Sequence, residues 1–193
     1  MKKFSILTLA LSVSLIGCTA PTEKVTIEQL MENPLFAERY SDEMVGVLTD
    51  FEIKKDPIME DKSMAKYITD LKVKWLKEAK KATNAQNEGR NGHFITMKQY
   101  TSGEVLFTYP KLYIDSVFET EPGPELHLYL TTVVDPREVE FPDETSIDFG
   151  VIPPYGAQTF IVPEIEEPIL YRTAVLWDTK LERLYGFAQL SER

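Results

Sequence analysis

The spacing of the apolar residues changes near residue 90, and this change limits the architecture that the chain can adopt. From residue 63 to about 85, apolar side chains recur every three or four positions, which predicts one stripe along a helix. The stripe consists of Met64, Ile68, Leu71, Trp75, Ala79 and Ala82. Later the period is two, and Leu126, Leu128 and Leu130 alternate with polar or aromatic residues, as in a half-buried strand. The chain is therefore predicted to be helical first and β second.

The helical part is predicted to contain three segments. Thr26 and Gln29 have the spacing of a capping box and open a short helix that Pro34 interrupts. A second helix is predicted over about residues 35–51, and the long stripe forms the third. The polar segment 84–92 contains two glycines and is interpreted as a linker.

Short strands separated by Gly and Pro turns are predicted after this segment. We place them near 93–100, 104–109, 111–118, 125–134, 147–152, 156–163, 170–178 and 183–190. Seven or eight such strands predict an antiparallel β-sandwich or barrel over about residues 90–190. The expected fold is mainly β, with helices over about 26–85 before it. The expected regions are a helical one over 26–89 and a β domain over 90–193.

The first residues are typical of an exported protein. Lys2 and Lys3 precede an apolar stretch from Phe4 to Ile16, which is too short for a helix that spans about 30 Å of hydrocarbon. A basic start, a short apolar core and Gly17 before a cysteine predict a signal peptide over residues 1–17. We expect Cys18 to carry a lipid that anchors the protein to a membrane, with residues 18–25 as the tether. An ordinary signal peptide with an accidental cysteine is the alternative.

Charge and cysteine content limit the partners and the chemistry. The formal net charge is −10, so nucleic acid is not an expected partner. Cys18 is the only cysteine, so the lipidated chain has neither a thiol nucleophile nor a disulfide framework.

The predicted long helix is basic, in contrast to the rest of the chain. Its polar faces carry Lys66, Lys72, Lys74, Lys77, Lys80 and Lys81. One interpretation is contact with anionic lipid headgroups beside the anchor. The other, which we favour from the sequence, is a solvated face on a helix whose apolar stripe packs on the acidic domain.

Four motifs of the β part follow one another in a defined order. They are Gly92-His93-Phe94 with a turn at Gly103; the segment from Phe118 to Leu126 followed by Tyr129-Leu130; Gly150 with Gly156, Gln158, Phe160 and Pro163; and Val175-Leu176-Trp177-Asp178 followed by Leu181, Tyr185, Gly186, Ala188 and Leu190. Over residues 90–190 this arrangement resembles the DM-thirteen domain, a small extracytoplasmic β module found in bacteria and animals. The resemblance implies a β-sandwich outside the cytoplasm.

The resemblance also raises the question of electron transfer, because a cysteine typically follows the tryptophan in this family. Here that position is Asp178, and a carboxylate forms neither a thiolate nor a disulfide. A redox role through that sulfur is therefore not expected in this chain. Asp178 itself has two interpretations, a carboxylate that faces a pocket or, as we favour, a turn residue that bonds its own backbone.

Two further places are candidates for contact with a ligand. Trp177 alternates with Val175 on a predicted strand, which favours core packing over stacking against a cofactor. The segment Glu121, Pro122, Gly123 and Pro124 combines rigid proline with permissive glycine. It is interpreted as a shaped loop that either contacts a ligand or sets a hairpin.

No metal site and no cofactor are predicted. His93 and His127 could join a carboxylate around a transition metal, but no short spacing brings them together. An acidic run could offer oxygen ligands to calcium, but it lacks the usual loop pattern and is interpreted as solvated. The run consists of Asp135, Glu138, Glu140, Asp143, Glu144 and Asp148.

The sequence contains no motif of a known catalytic centre. The first functional hypothesis is therefore a lipoprotein of the cell envelope whose β domain binds a protein or a small molecule. The second is an electron-transfer or cofactor-binding accessory that works without the cysteine of the family. A hydrolase would need a nucleophile and a base that the sequence does not reveal.

Overall fold

The computed structural model describes residues 25–192. The predicted signal peptide, Cys18 and residues 19–24 of the tether lie outside this part of the chain. The helices are α1 (Ile27–Leu30), α2 (Pro34–Ile53) and α3 (Lys62–Asn87), with single 3-10 turns at Pro57–Glu60 and Pro168–Leu170.

Polar side chains fix where the helices begin. Thr26 and Gln29 form the predicted capping box at the start of α1. Asn33 and Asp61 accept hydrogen bonds from the first backbone N–H groups of α2 and α3. Pro34 is the first residue of α2, where its missing N–H costs nothing.

The segment 84–92 was expected as a linker and is instead part of the folded structure. Helix α3 continues to Asn87 because the buried Gln86 donates its Nε2 hydrogens to Pro34 O at 3.0 Å and to Glu38 Oε2 at 2.7 Å. The first strand begins at Arg90, so the helical and β parts are joined by two residues.

Eleven strands follow, some of them shorter than predicted. They are β1 (Arg90–His93), β2 (Ile95–Thr96), β3 (Thr101–Ser102), β4 (Glu104–Thr108), β5 (Lys111–Ile114), β6 (Glu119–Thr120), β7 (Leu126–Thr131), β8 (Ile147–Val151), β9 (Gln158–Ile161), β10 (Thr173–Asp178) and β11 (Arg183–Gln189). The strand predicted at 93–100 does not form as one piece, because β1 pairs with β4 whereas β2 pairs with β11 in another sheet.

The strands form two main antiparallel sheets that enclose a shared core. Their orders are β1-β4-β5-β9 and β2-β11-β10-β7-β8, and β3 pairs with β6 in a small third sheet. The four-stranded sheet contributes Val105, Phe107, Leu112 and Ile114 to the core; the five-stranded sheet contributes Leu126, Leu128, Leu130, Ala174 and Leu176. Neither sheet closes on itself, so the described strands form a sandwich-like fold and not a barrel. This confirms the prediction of helices followed by antiparallel β structure.

The four-stranded sheet is also covered on its outer face. The helices cover the four-stranded sheet, where Leu35 of α2 packs on Leu106 and Tyr113. The apolar stripe of α3 packs against α2, for example through the edge-to-face contact of Trp75 with Tyr40 at 5.2 Å. The expectation that this stripe packs on the acidic β domain is therefore wrong. The stripe packs on α2, and α2 packs on the sheet. Within residues 25–192, no helix has both the length and the apolar character needed to span a bilayer.

Candidate functional site

Four side chains form a row across the outer face of the five-stranded sheet. Trp177 on β10 is the direct neighbour of Leu184 on β11 and of His127 on β7. His127 is in turn the neighbour of Val151 on β8. Because paired residues of antiparallel strands point to the same face, these four residues form one line, which we call the transverse row. It combines an indole and an imidazole with an aliphatic side chain at each end.

Strand alternation places the row outside the sandwich. Ala174 and Leu176 point into the shared core. Because side chains alternate along a strand, Val175 and Trp177 point outward. The sequence favoured core packing for Trp177. Its side chain is half-buried and packs against a second apolar cluster, on the opposite side of the sheet from the shared core.

This second cluster gives the row a rigid base. It consists of Tyr129, Phe141, Val175 and Phe187, with Met97, Trp177 and Leu184 packed against it. Phe141 comes from the loop 132–146 and contacts both Trp177 and Tyr129, with 5.4 Å between ring centroids in each pair. A side chain wedged between such neighbours has few rotamers left, so the indole is fixed before any ligand arrives.

His127 is oriented by a carboxylate. Its Nδ1 atom lies 2.9 Å from Oδ1 and 3.0 Å from Oδ2 of Asp148. An ionised carboxylate only accepts hydrogen bonds, so Nδ1 carries the proton and donates it. Asp148 is itself held by the N–H of Gly150 at 2.7 Å. In the neutral ring, this arrangement leaves Nε2 as a hydrogen-bond acceptor.

Tyr129 lies beneath the same pair. Its ring stacks on His127 with a centroid distance of 6.0 Å. Burial is the largest of three causes that together raise the pKa of Tyr129 to about 12; the other two are the charge of Asp148 and its hydrogen bond with the hydroxyl. The phenol therefore stays protonated at neutral pH.

Two polar atoms of the transverse row have no partner in the described structure. Within residues 25–192, no acceptor bonds the indole N–H of Trp177 and no donor bonds Nε2 of His127, and neither atom is enclosed. The row thus offers one donor and one acceptor beside an aromatic surface. A histidine held by an aspartate can also act as a base, but in the described part no hydroxyl group bonds to Nε2. Recognition is the chemistry that these contacts provide.

Asp178, which follows Trp177, lies on the inner side of the same strand. It is fully buried. Its Oδ1 accepts from the N–H groups of Lys180 at 3.0 Å and Leu181 at 2.8 Å, and its Oδ2 accepts from Glu125 N at 3.1 Å. The bonds from Lys180 and Leu181 are those of the predicted turn residue. The bond from Glu125 was not predicted and joins the turn to the start of another strand segment. The carboxylate is satisfied by the protein and faces no open pocket.

The segment 121–124 crosses between sheets and does not close a hairpin. The strand before it, β6, pairs with β3, whereas β7 after it pairs with β8 and β10. Glu121, Pro122 and Pro124 are exposed. A Cβ atom at Gly123 would lie 2.2 Å from Oδ2 of Asp178, so only glycine permits this close approach. Burial raises the pKa of the neighbouring Tyr185, and the charge of Asp178 contributes to the same shift.

The remaining sequence candidates are dispersed. His93 lies on β1 of the four-stranded sheet, whereas His127 lies on β7 of the other sheet. Among the described residues no three His, Cys, Asp or Glu side chains are grouped to hold a metal ion. In the acidic run, Asp135 pairs with Arg137, and Asp143 bonds Thr145 and Ser146 of its own turn. These carboxylates order the loop over the five-stranded sheet.

Sequence reasoning missed Leu184, Val151 and the pairing of His127 with Asp148. The alternation of His127 with the inward leucines already indicated that His127 points outward. Register was the missing information, since no sequence signal shows which residues of β8 and β11 lie beside Trp177 and His127.

The sequence matches no family model, and no curated protein or solved structure has significant similarity to it. The resemblance to the DM-thirteen family therefore stays a prediction.

Proposed function

We propose that this chain is an extracytoplasmic lipoprotein, anchored to a membrane through Cys18, whose β-sandwich is a binding module. The transverse row is the binding site. The observation that carries the proposal is the adjacency of Trp177 and His127 on a rigid apolar base, with hydrogen-bonding atoms that the protein does not use.

The chemistry of the row indicates the kind of ligand. An indole face and two aliphatic side chains favour a flat or apolar surface. The indole N–H needs an acceptor and the Nε2 atom of His127 needs a donor. A sugar ring or an aromatic peptide side chain with polar groups at its edge has both properties. Because the base is already packed, binding costs little ordering of the site.

Two sequence features support the anchor and its location. The stretch Leu15-Ile16-Gly17-Cys18 after a short apolar segment is typical of a lipidated export signal. The resemblance to an extracytoplasmic β module agrees with export. Electron transfer, the second hypothesis, would need a redox group that a fully buried Asp178 cannot supply.

Site-specific photocrosslinking in cells tests the binding site. A photoreactive residue replaces Val151, which is 63% exposed at one end of the row. The matched control replaces Ile161, which is 66% exposed on the edge of the other sheet. We expect a discrete adduct from position 151, its loss on Trp177→Ala or His127→Ala, and no such adduct from position 161.

Small ligands are tested on the same variants by native mass spectrometry of protein purified from cells. Excess mass on the wild type that disappears in Trp177→Ala supports the site, and Trp177→Phe separates stacking from the indole N–H. Adducts or bound mass that are unchanged by both Trp177→Ala and His127→Ala would place binding elsewhere and overturn the proposal.

A further inference from the structure

The outward side of α3 is a basic surface on an acidic protein. The helix contains seven lysines and two acidic residues, whereas the whole chain has a formal net charge of −10. Four of the exposed lysines on this side are called the lysine face: Lys66, Lys77, Lys80 and Lys81. Asp70 is the acidic residue on the same side.

The lysine face is not used to stabilise the fold. Lys72, on the side towards α2, pairs with Glu52 at 2.6 Å. By contrast, none of the four lysines of the lysine face has an acidic partner among residues 25–192. Their charges are therefore free to attract an anionic surface.

Large apolar side chains accompany these lysines in solvent. Tyr67 is 58% exposed, Val73 45% and Leu76 50%. They lie on or beside the outward side of the helix, away from the stripe that packs against α2. Lysines mixed with exposed aromatic and aliphatic residues are typical of helices that lie in a membrane interface.

The position of the chain start agrees with this surface. Glu28 and Met31 line a groove together with Lys81 and Ala82 of α3, so α1 lies beside the C-terminal half of the helix. The nine residue steps from Cys18 to Ile27, the first residue of α1, can reach at most about 30 Å. A lipid on Cys18 would hold the bilayer within that distance of the start of α1.

We propose that α3 docks on the anionic lipid surface of the membrane through its lysine face, with Tyr67, Val73 and Leu76 entering the headgroup region. This inference rests on the proposed anchor, which supplies the local concentration for a weak surface contact. Since the helices cover the four-stranded sheet and the transverse row lies on the five-stranded one, docking turns the row away from the bilayer.

Vesicle cosedimentation of the full chain tests the docking surface. The chain carries Cys18→Ser in every sample, so no lipid is attached and the N-terminal apolar segment contributes equally throughout. Binding is compared on phosphatidylcholine vesicles with and without 30% phosphatidylglycerol. We expect the anionic lipid to raise binding at least tenfold and 0.5 M NaCl to abolish that gain, because salt screens exposed charges.

Charge variants assign the effect to α3. Lys66→Gln with Lys77→Gln and Lys80→Gln should remove most of the gain on anionic vesicles. The matched control is Lys98→Gln with Lys180→Gln and Arg183→Gln, which removes the same charge from exposed positions of the β part. This control should keep the gain in binding on anionic vesicles. Leu76→Ser should weaken binding at high and low salt alike, and thermal unfolding of each variant verifies its fold.

The outcomes separate docking from anchoring. Equal binding to both kinds of vesicle, or equal losses in the two triple variants, overturns the docking surface whether or not Cys18 is lipidated. Selective binding that depends on the lysine face supports docking even if wild-type protein from cells proves to have no lipid, in which case the anchor alone is wrong.

Discussion

At the scale of single residues, neighbours on one strand have opposite roles. Trp177 points outward into the transverse row, and Asp178 points inward and closes the end of the sandwich. The hydrogen bonds of Asp178 tie the turn at Lys180 and Leu181 to Glu125 after the crossing segment. A buried carboxylate of this kind is stabilising because every oxygen is satisfied by backbone donors. Its function in this chain is therefore structural.

Replacing Asp178 should therefore destabilise the protein without affecting the row directly. Asp178→Ala removes the acceptor of three part-buried N–H groups and should cost on the order of 3 kcal/mol in free energy of unfolding. Asp178→Asn keeps one acceptor oxygen and should cost about half as much. Urea unfolding measures both, with Glu140→Ala as a control at an exposed carboxylate. Equal stability of Asp178→Ala and wild type would contradict the structural role.

At the scale of elements, Asn33 joins the helices to the sandwich. Its Oδ1 accepts from Leu35 N at 3.0 Å and caps α2, while its Nδ2 donates to the carbonyl of Ile114 on β5 at 2.8 Å. Sequence patterns predicted this helix and its interruption at Pro34, because caps and periodicity are local signals. They did not reveal that the cap also bonds a strand 81 residues away. Contacts of that kind depend on register and packing, which local patterns do not encode.

Asn33→Ala should lower the free energy of unfolding by about 2 kcal/mol, since it removes a helix cap worth about 1 kcal/mol and a buried hydrogen bond of similar size. Asn33→Ser keeps a capping oxygen and loses the bond to the sheet, so it should cost about 1 kcal/mol. Thr26→Ala, at the exposed cap of α1, is the control and should cost less than either. Thermal and urea unfolding compare the three, and a Thr26→Ala loss as large as that of Asn33→Ala would contradict this function of Asn33.

At the scale of the whole molecule, the layers run from the helices through two sheets to the transverse row. The sequence predicted their order, helices before an antiparallel sandwich, because the period of the apolar residues changes along the chain. It did not predict that the segment 84–92 is structured. The segment is polar, and nothing in the sequence shows that one of its polar residues, Gln86, is buried. The sequence also favoured packing for Trp177, but alternation tells only which residues share a face, and it does not tell which of the two apolar clusters that face packs on.

The layers direct the transverse row away from the bilayer only if the membrane anchor lies on the helical side. Cys18, the proposed anchor, is therefore the residue to test. Wild-type protein should fractionate with membranes and carry the added mass of acyl chains, because two or three such chains bind a bilayer almost irreversibly. Cys18→Ser should lose that mass and appear in the soluble fraction or as uncleaved precursor. Thr19→Ala, the neighbouring substitution, should change neither. If Cys18→Ser stays on the membrane without the mass change while wild type is found uncleaved, the N-terminus is an uncleaved anchor, and the orientation argument must start from that segment instead of a lipid.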